Sequence, residues 1–497
     1  MAETSLFVGE SPIEKHRIVL ETALIISLLT AGLIGVYWIG TVWLQVVALL
    51  LWTWLTVFSA LYFKERATSA DLLSSMMYVL IASTFLNQVL LSLSVGFFTL
   101  FIYRLLLITC LVVFLAHSVK IGGFYKEWKT MPVKGIIYFL MFWMAYGAVS
   151  LLWSWSVIEG IKYLFLLGIG LLFIFLAVFT FTRVDHLIAF HMIWLLMSGL
   201  LIAIGMLNHF GHIQLPTSTL YGGPNYKQAY PTAVFTNQND FATMLAISFF
   251  FYLAAARHFK KPIARATCLV FATASVWLIY LTESRASLLG VAAGGILYLF
   301  LLLPAKYKKG TLLFSLCLTV GGLLVISGKL FVKLHDLVVP YTAYSVNENP
   351  SSNTVRVHLL QSGWHYLTET FGIGVGAGNL PVYLEHQPIL NTNHIFEIHN
   401  WLAELTGNFG FLIGAGYLAM YLTIFFSLYK IYAKQMGRKA KLLLETCMTA
   451  QIAFLVSSIS PSSISNLYFH WVFLGFVICT VSVLSQSQQQ PIQSGEA

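Results

Sequence analysis

Apolar runs long enough to cross a lipid bilayer follow one another along almost the whole chain, and that succession decides most of what it can fold into. A spanning helix needs about 17 to 25 mainly apolar residues. About fourteen such runs can be marked, near 18–39, 41–62, 72–94, 98–118, 135–152, 160–182, 186–206, 240–256, 266–283, 286–303, 311–328, 408–430, 442–458 and 467–485. With 58% hydrophobic and only 9% charged residues, a soluble protein of this length is excluded. The expectation is an all-α polytopic membrane protein with about 14 transmembrane helices. The polar start, 1–17, leads into a first span with no small-residue cleavage site after it, so no cleavable signal peptide is expected. Cys110, Cys268, Cys317, Cys447 and Cys479 lie in or beside apolar runs without CxxC spacing, which argues against a disulfide or a redox role.

A net charge of +9 would suit nucleic acid or another anionic partner if the basic residues were gathered on one surface. They are instead distributed as topology signals. Clusters recur at every second connection: Lys15/Arg17, Lys64/Arg66, Lys120/Lys126/Lys129/Lys134, Arg183, Arg257/Lys260/Lys261/Arg265, Lys306/Lys308/Lys309 and Lys430/Lys434/Arg438/Lys439/Lys441. By the positive-inside rule these connections and both termini are expected in the cytoplasm, and no nucleic-acid partner is expected. Of the 28 Lys and Arg, 21 fall in the clusters, leaving Arg104, Lys162, Lys227, Arg285, Lys329, Lys333 and Arg356 toward the outer side. Charges at membrane depth are costly without a partner, so these seven are the informative ones. Snorkelling to the interface accounts for Lys329 and Lys333; Arg104, inside FTLFIYRLLLITC, suits either a site or a buried ion pair.

Two outer connections are long. The first, around LPTSTLYGGPNYKQAYP, is rich in Gly, Pro and Asn and reads as irregular loop. The second divides the chain into a cytoplasmic tail (1–17), spans 1–11 (18–328), an extracytoplasmic loop (329–407), spans 12–14 (408–485) and a polar tail (486–497). Within that loop, Asn353 to Thr370 has apolar residues at helical spacing, with Asn353 as N-cap, and reads as an amphipathic helix on the membrane surface. The glycines at 372, 374, 376 and 378 are superficially like a nucleotide-binding fingerprint, but they lack its strand-turn-helix context. They read as a tight bend that lets backbone approach another element.

Three residues of the outer set carry the chemistry. Arg285, in LTESRASLLG, stands at the outer end of two spans with almost no loop around it, where a guanidinium can grip a phosphate bidentately; pairing with Glu283 is the plainer alternative. Arg356 lies in the first turn of the surface helix, where free N–H groups also attract anions. His399, where polar loop becomes apolar helix, has an ordinary pKa of about 6.5, suited to general-base work, although His335, His358, His365, His386 and His394 share the loop. The two histidines of NHIFEIHN are spaced i, i+5, on separated helical faces, unlike HExxH, so no metal is expected. Asn237, Asn239 and Asp240 of FTNQNDFAT either cap a helix or meet sugar hydroxyls, and Asn400 is a further polar group for substrate.

FTNQNDFA, TESRAS, VRVHLLQSGWHYL with FGIGVGAGN, and HNWLAELTGNFGFLIG occur in this order between Phe235 and Gly414, and through them the chain resembles the O-antigen ligase and Wzy-type polymerase superfamily. The Ala after Arg285 departs from the glycine of many members. The resemblance implies a GT-C-like enzyme, without cofactor, metal or ATP, acting outside the bacterial cytoplasmic membrane. Its donor would be an undecaprenyl-diphosphate-linked glycan and its second substrate a glycan acceptor. It would work among membrane lipids, with a flippase and a chain-length regulator as partners. Arginines would hold the donor diphosphate, a role that passes to Arg285 and Arg356, and His399 would deprotonate the acceptor hydroxyl. The overall look is of Gram-positive members, which implies polymerisation of a teichuronic-acid-like, capsular or exopolysaccharide chain. Ligation to a lipid or protein acceptor is the alternative. A flippase or other transporter is the rival of a different class, although transporters usually show paired halves and no repeat is visible.

Overall fold

The computed structural model describes residues 69–86, 92–95, 98–120, 123, 125–315, 350–434, 437–461, 463 and 465–489. The first two expected spans, most of the run at 311–328, Lys329, Lys333 and His335 lie outside the described residues, as do 1–17 and 490–497. Among the described residues the regular elements are helical except for one antiparallel strand pair. In order come α1 (Ser69–Thr84), β1 (Ser92–Val95), β2 (Phe98–Phe101), α2 (Ile102–Lys120), α3 (Tyr125–Thr130), α4 (Lys134–Ser150), α5 (Val157–Thr180), α6 (Val184–Gly211), α7 (Asn225–Gln228), α8 (Gln238–His258), α9 (Pro262–Leu281) and α10 (Arg285–Leu302). After these come α11 (Ser352–Glu369), α12 (Leu380–His386), α13 (Trp401–Tyr432), α14 (Arg438–Ser457) and α15 (Tyr468–Gln489).

Nine helices among the described residues are long and apolar enough to span: α2, α5, α6, α8, α9, α10, α13, α14 and α15; α1 and α4 are shorter apolar helices. The run expected to span at 72–94 is reshaped. Its helix stops at Thr84, and Ser92–Val95 pairs antiparallel with Phe98–Phe101, Val95 opposite Phe98. The reason is local: Ser92, Leu93 and Ser94 alternate polar and apolar, a period of two that suits a strand and that an averaged hydropathy conceals.

The most enclosed helix is α15, 94% of whose apolar window is buried, and α5, α6, α13 and α14 pack around it. The helices α8, α9, α10 and α14 form a second tight group, in which Gly290 and Gly294 of α10 lie directly against the backbone carbonyls of Ala453 and Thr449 on α14. Small residues at such a seam let helix backbones approach in a medium where burial of apolar groups supplies little drive. Most aromatic residues pack between helices, as at Trp143, which meets Trp401, Phe409, Tyr417 and Trp471 at 5.8 to 6.3 Å between ring centres.

The helix ends sort into two groups. At one end, buried Glu445 accepts from Arg257 (2.7 Å), His258 (2.8 Å) and Tyr432 (3.3 Å), and Lys439 pairs with Asp185 at 2.7 Å. These are the basic-cluster connections. At the other end lie the connections poor in clustered charge: 151–156, 212–237, 282–284, 370–400 and 458–467.

Candidate functional site

The short connection between α14 and α15 organises the opposite end. Ser460, buried there, presents a carbonyl and a hydroxyl to three other segments. Its carbonyl is 3.2 Å from Nδ1 of His399, its hydroxyl donates to Oδ1 of Asn239 at 2.8 Å, and the Ser284 hydroxyl lies 3.3 Å from its own. Two residues earlier the Ser458 carbonyl accepts from the Trp401 N–H at 3.1 Å. FTNQND, TESR and HNW, spread in sequence from Phe235 to Trp401, therefore meet on one loop.

A carbonyl can only accept, so the His399 contact requires its Nδ1 to carry the proton, leaving Nε2 with a lone pair. The residue is half-buried, and burial pushes its pKa below the ordinary 6.5; the Ser460 carbonyl opposes this, the charge of Arg356 adds to it, and Glu397 and the Pro461 carbonyl oppose it further. A φ of 51° puts His399 in the left-handed region, uncommon for a residue with a side chain. It allows the chain to turn sharply into α13. The neighbouring histidines have partners away from the Ser460 junction: Nδ1 of buried His358 is 2.6 Å from the Asn391 carbonyl, His365 pairs with Glu369 at 3.0 Å, and Nδ1 of His386 is 3.0 Å from the Val382 carbonyl.

Arg285 is the first residue of α10, immediately after Ser284, and is exposed. It does not pair with Glu283, whose carboxylate instead accepts from the Tyr230 hydroxyl at 3.2 Å. Arg356 is half-buried, the fifth residue of α11 and so past the first turn in which an Asn353 cap would have put it, and it lies within electrostatic reach of His399. The α11 cap is Ser351, which accepts from the Thr354 N–H at 3.3 Å, rather than Asn353. Ser351, Ser352 and Asn353 all suit the position, and the chain takes the first. Arg104 is anchored elsewhere: it is buried, donates to the Tyr468 hydroxyl at 2.8 and 3.2 Å, and lies 4.7 Å from the centre of the Phe101 ring. Its hydroxyl partner Tyr468 is the first residue of α15, at the end of the α14–α15 connection.

Of the asparagines, Asn237 caps α8, accepting from the N–H groups of Asn239 and Asp240, and Asn400 caps α13, accepting from Ala403 at 3.1 Å. Asp240 is buried, with Oδ2 accepting from Asn237 at 2.9 Å, while Oδ1 has no hydrogen-bond partner among the described residues. Asn239 is the member of the triplet tied to the junction.

The glycine bend holds the start of α13 in place. Gly372, Gly374, Gly376 and Gly378 all have positive φ, and so does Gly410, where α13 kinks. The kink frees carbonyls from the helical ladder, and the bend satisfies them: the N–H groups of Val375 and Gly376 donate to Gly407 and Asn408, and Phe411 returns a bond to Gly372, each at 2.9 Å. Backbone lies against backbone, as the glycine spacing suggested. One turn before Asn408, buried Glu404 accepts from Tyr163 (2.9 Å) and Ser463 (2.8 Å) at the edge of a cavity of about 800 Å³. Sequence reasoning missed Ser460, Ser463 and Glu404. The first two carry no titratable group; the third looks like an ordinary first-turn acid that favours a helix N-terminus.

Residues 268–418 match the family model described as O-antigen ligase. The teichuronic acid biosynthesis protein TuaE of Bacillus subtilis (strain 168) is 42% identical over 438 residues, which cover 88% of this chain and 89% of that protein. A helical bundle with this motif order, matched to that relative along most of its length, belongs to the O-antigen ligase and Wzy-type polymerase superfamily of membrane proteins of polysaccharide biosynthesis.

Proposed function

We propose that this chain is a lipid-diphosphate-dependent glycosyltransferase that polymerises undecaprenyl-diphosphate-linked repeats into a cell-surface polysaccharide outside the cytoplasmic membrane. The observation that carries the reading is the His399–Ser460 contact, which leaves Nε2 as a proton acceptor within electrostatic reach of Arg356 and on the same junction as the segment leading into Arg285. The acceptor hydroxyl loses its proton to Nε2 as its oxygen bonds to the anomeric carbon of the donor sugar. The bond from that carbon to the diphosphate oxygen breaks with its electron pair, and undecaprenyl diphosphate departs. Attack opposite the leaving group inverts the anomeric centre in a single displacement. Arg285 and Arg356 supply positive charge where negative charge grows on the leaving oxygens, the work a metal does elsewhere. The teichuronic acid biosynthesis relative favours a polymer product over ligation.

The test is transfer by the purified chain in lipid nanodiscs, supplied with a lipid-diphosphate-linked repeat and read on gels. A ladder of products supports polymerisation; a single added repeat on a foreign acceptor supports ligation; movement of the donor without a new glycosidic bond supports a transporter. Activity is expected to survive EDTA. Loss in EDTA with recovery on adding Mg²⁺, Mn²⁺ or Zn²⁺ would return the charge-stabilising role to a metal.

A further inference from the structure

The cavity beside α13 is chemically unlike the arginine side of the site. It holds about 800 Å³, within the range of about 300–1,000 Å³ usual for small-molecule sites. Trp155, Glu159, Lys162, Glu385, Glu397 and Glu404 line it, and none of Arg104, Arg285 and Arg356 does. It reaches Glu397 and Ile398, the two residues before His399, so it adjoins the proposed base. Four carboxylates face it against one lysine, and that lysine is already paired with Glu159 at 2.6 Å. Ionised carboxylates accept hydrogen bonds and donate none. They suit sugar hydroxyls, which donate, and repel a diphosphate or a uronate carboxylate, which brings only acceptors and like charge. Trp155 keeps about half of its surface exposed, and its ring is set edge-on against Tyr383 at 5.3 Å and 84°, a fixed apolar platform for the C–H face of a pyranose. Glu404 is held in direction by the two hydroxyls it already accepts from.

We infer that this cavity is the acceptor subsite and that it takes an uncharged sugar unit, its ring against Trp155 and its hydroxyls donating to Glu159, Glu397 and Glu404. The assignment rests on the transferase reading, because an acceptor exists only if transfer occurs. It places the sugar that receives the chain next to His399 and leaves anionic groups of the donor to the arginines.

Saturation-transfer NMR on the full chain in nanodiscs tests it, with methyl glycosides of glucose, galactose and N-acetylglucosamine as neutral probes and methyl glucuronide as the charged one. Lipid-linked donor binding is measured on the same preparations. At least one neutral glycoside should give a signal fivefold or more above the glucuronide. Trp155→Ala should reduce that signal at least fivefold, Trp155→Phe should retain most of it, and both variants should bind donor within twofold of wild type. Pairing Glu159→Gln with Glu397→Gln should narrow the preference over glucuronide. The assignment is overturned by no neutral signal from wild type, by a glucuronide signal that matches or exceeds the neutral ones, by an unchanged signal in Trp155→Ala, or by loss of donor binding in that variant. A neutral sugar bound through Trp155 by a protein that forms no glycosidic bond would retain the sugar site and remove the transferase reading instead.

Discussion

Histidine 399 differs from its neighbours in the loop in where its ring is held: its Nδ1 is on the Ser460 carbonyl, at the junction where FTNQND, TESR and HNW meet. His399→Ala should therefore leave lipid-linked donor binding nearly intact while transfer falls by about 10² to 10⁴. Arg285→Ala and Arg356→Ala should weaken both, since a diphosphate is charged in the ground state and gains charge at the leaving oxygen. Lysine at Arg285 should restore only part, being a point charge where a planar fork is wanted. Wild-type polymer from His399→Ala would make the histidine structural. The pH profile offers a separate check. Burial disfavours the imidazolium, so the folded pKa lies below 6.5 and the base form persists to lower pH. The acidic limb of transfer at limiting substrate should therefore lie at lower pH than the 6.5 of a free imidazole. Removing the Arg356 charge should move that acidic limb upward, whatever it does to the maximal rate; a limb unmoved in Arg356→Gln would separate the two residues. The sequence drew attention to these three residues because ionisable groups beside apolar spans are expensive and stand out. Ser460 was not, since it acts through a backbone oxygen and a hydroxyl, in a segment, SSISPSSISN, that reads as a polar turn.

Elements built on backbone geometry were partly legible for a similar reason. Glycines at every second position forecast a bend in close contact with something, but not that its partner would be the kink of α13. There Gly374 faces backbone: at φ 85°, an added Cβ would lie 2.5 Å from the Gly410 nitrogen and 2.6 Å from the Asn408 oxygen. Neither is a flexible side chain that could give way. Gly374→Ala should destabilise by more than about 1 kcal/mol, from the strained φ before any clash is counted. Because the bend holds the first turns of α13 behind His399, transfer should fall with the thermal midpoint. Gly295 of α10 is the control, with nothing within 4 Å of an added Cβ. Alanine there should be neutral or stabilising by up to about 1 kcal/mol from helix propensity. A thermal midpoint unchanged in Gly374→Ala would remove the bend from the scaffold of the site. The hairpin at 92–101 was illegible for the opposite reason. A hydropathy average measures how apolar a run is and not its period, so alternating Ser and Leu passed for part of a span.

At the scale of the whole molecule, the charge asymmetry of the sequence and the two-ended arrangement of the structure are independent observations that agree. The basic connections come together around Glu445 and Asp185, and the connections that carry His399, Arg285 and Arg356 lie at the opposite helix ends. Sequence could sort the connections by side through the positive-inside rule, but only the packing of α8, α10, α13 and α14 could bring four of them to Ser460. Single cysteines in place of exposed His394, in the loop before α13, and of exposed Lys260, between α8 and α9, mark the two ends. Cys110, Cys268, Cys447 and Cys479 are buried, which keeps the native background of those four low. A membrane-impermeant maleimide should label the cysteine at 394 on intact cells and the one at 260 only after lysis. The reverse pattern would put His399 in the cytoplasm, away from a donor presented on the outer leaflet, and the transferase reading would then need a donor from the cytoplasmic side. Labelling of both positions on intact cells would mean that the basic clusters do not set the topology, and the inside-outside assignment of every connection would have to be remade from accessibility alone.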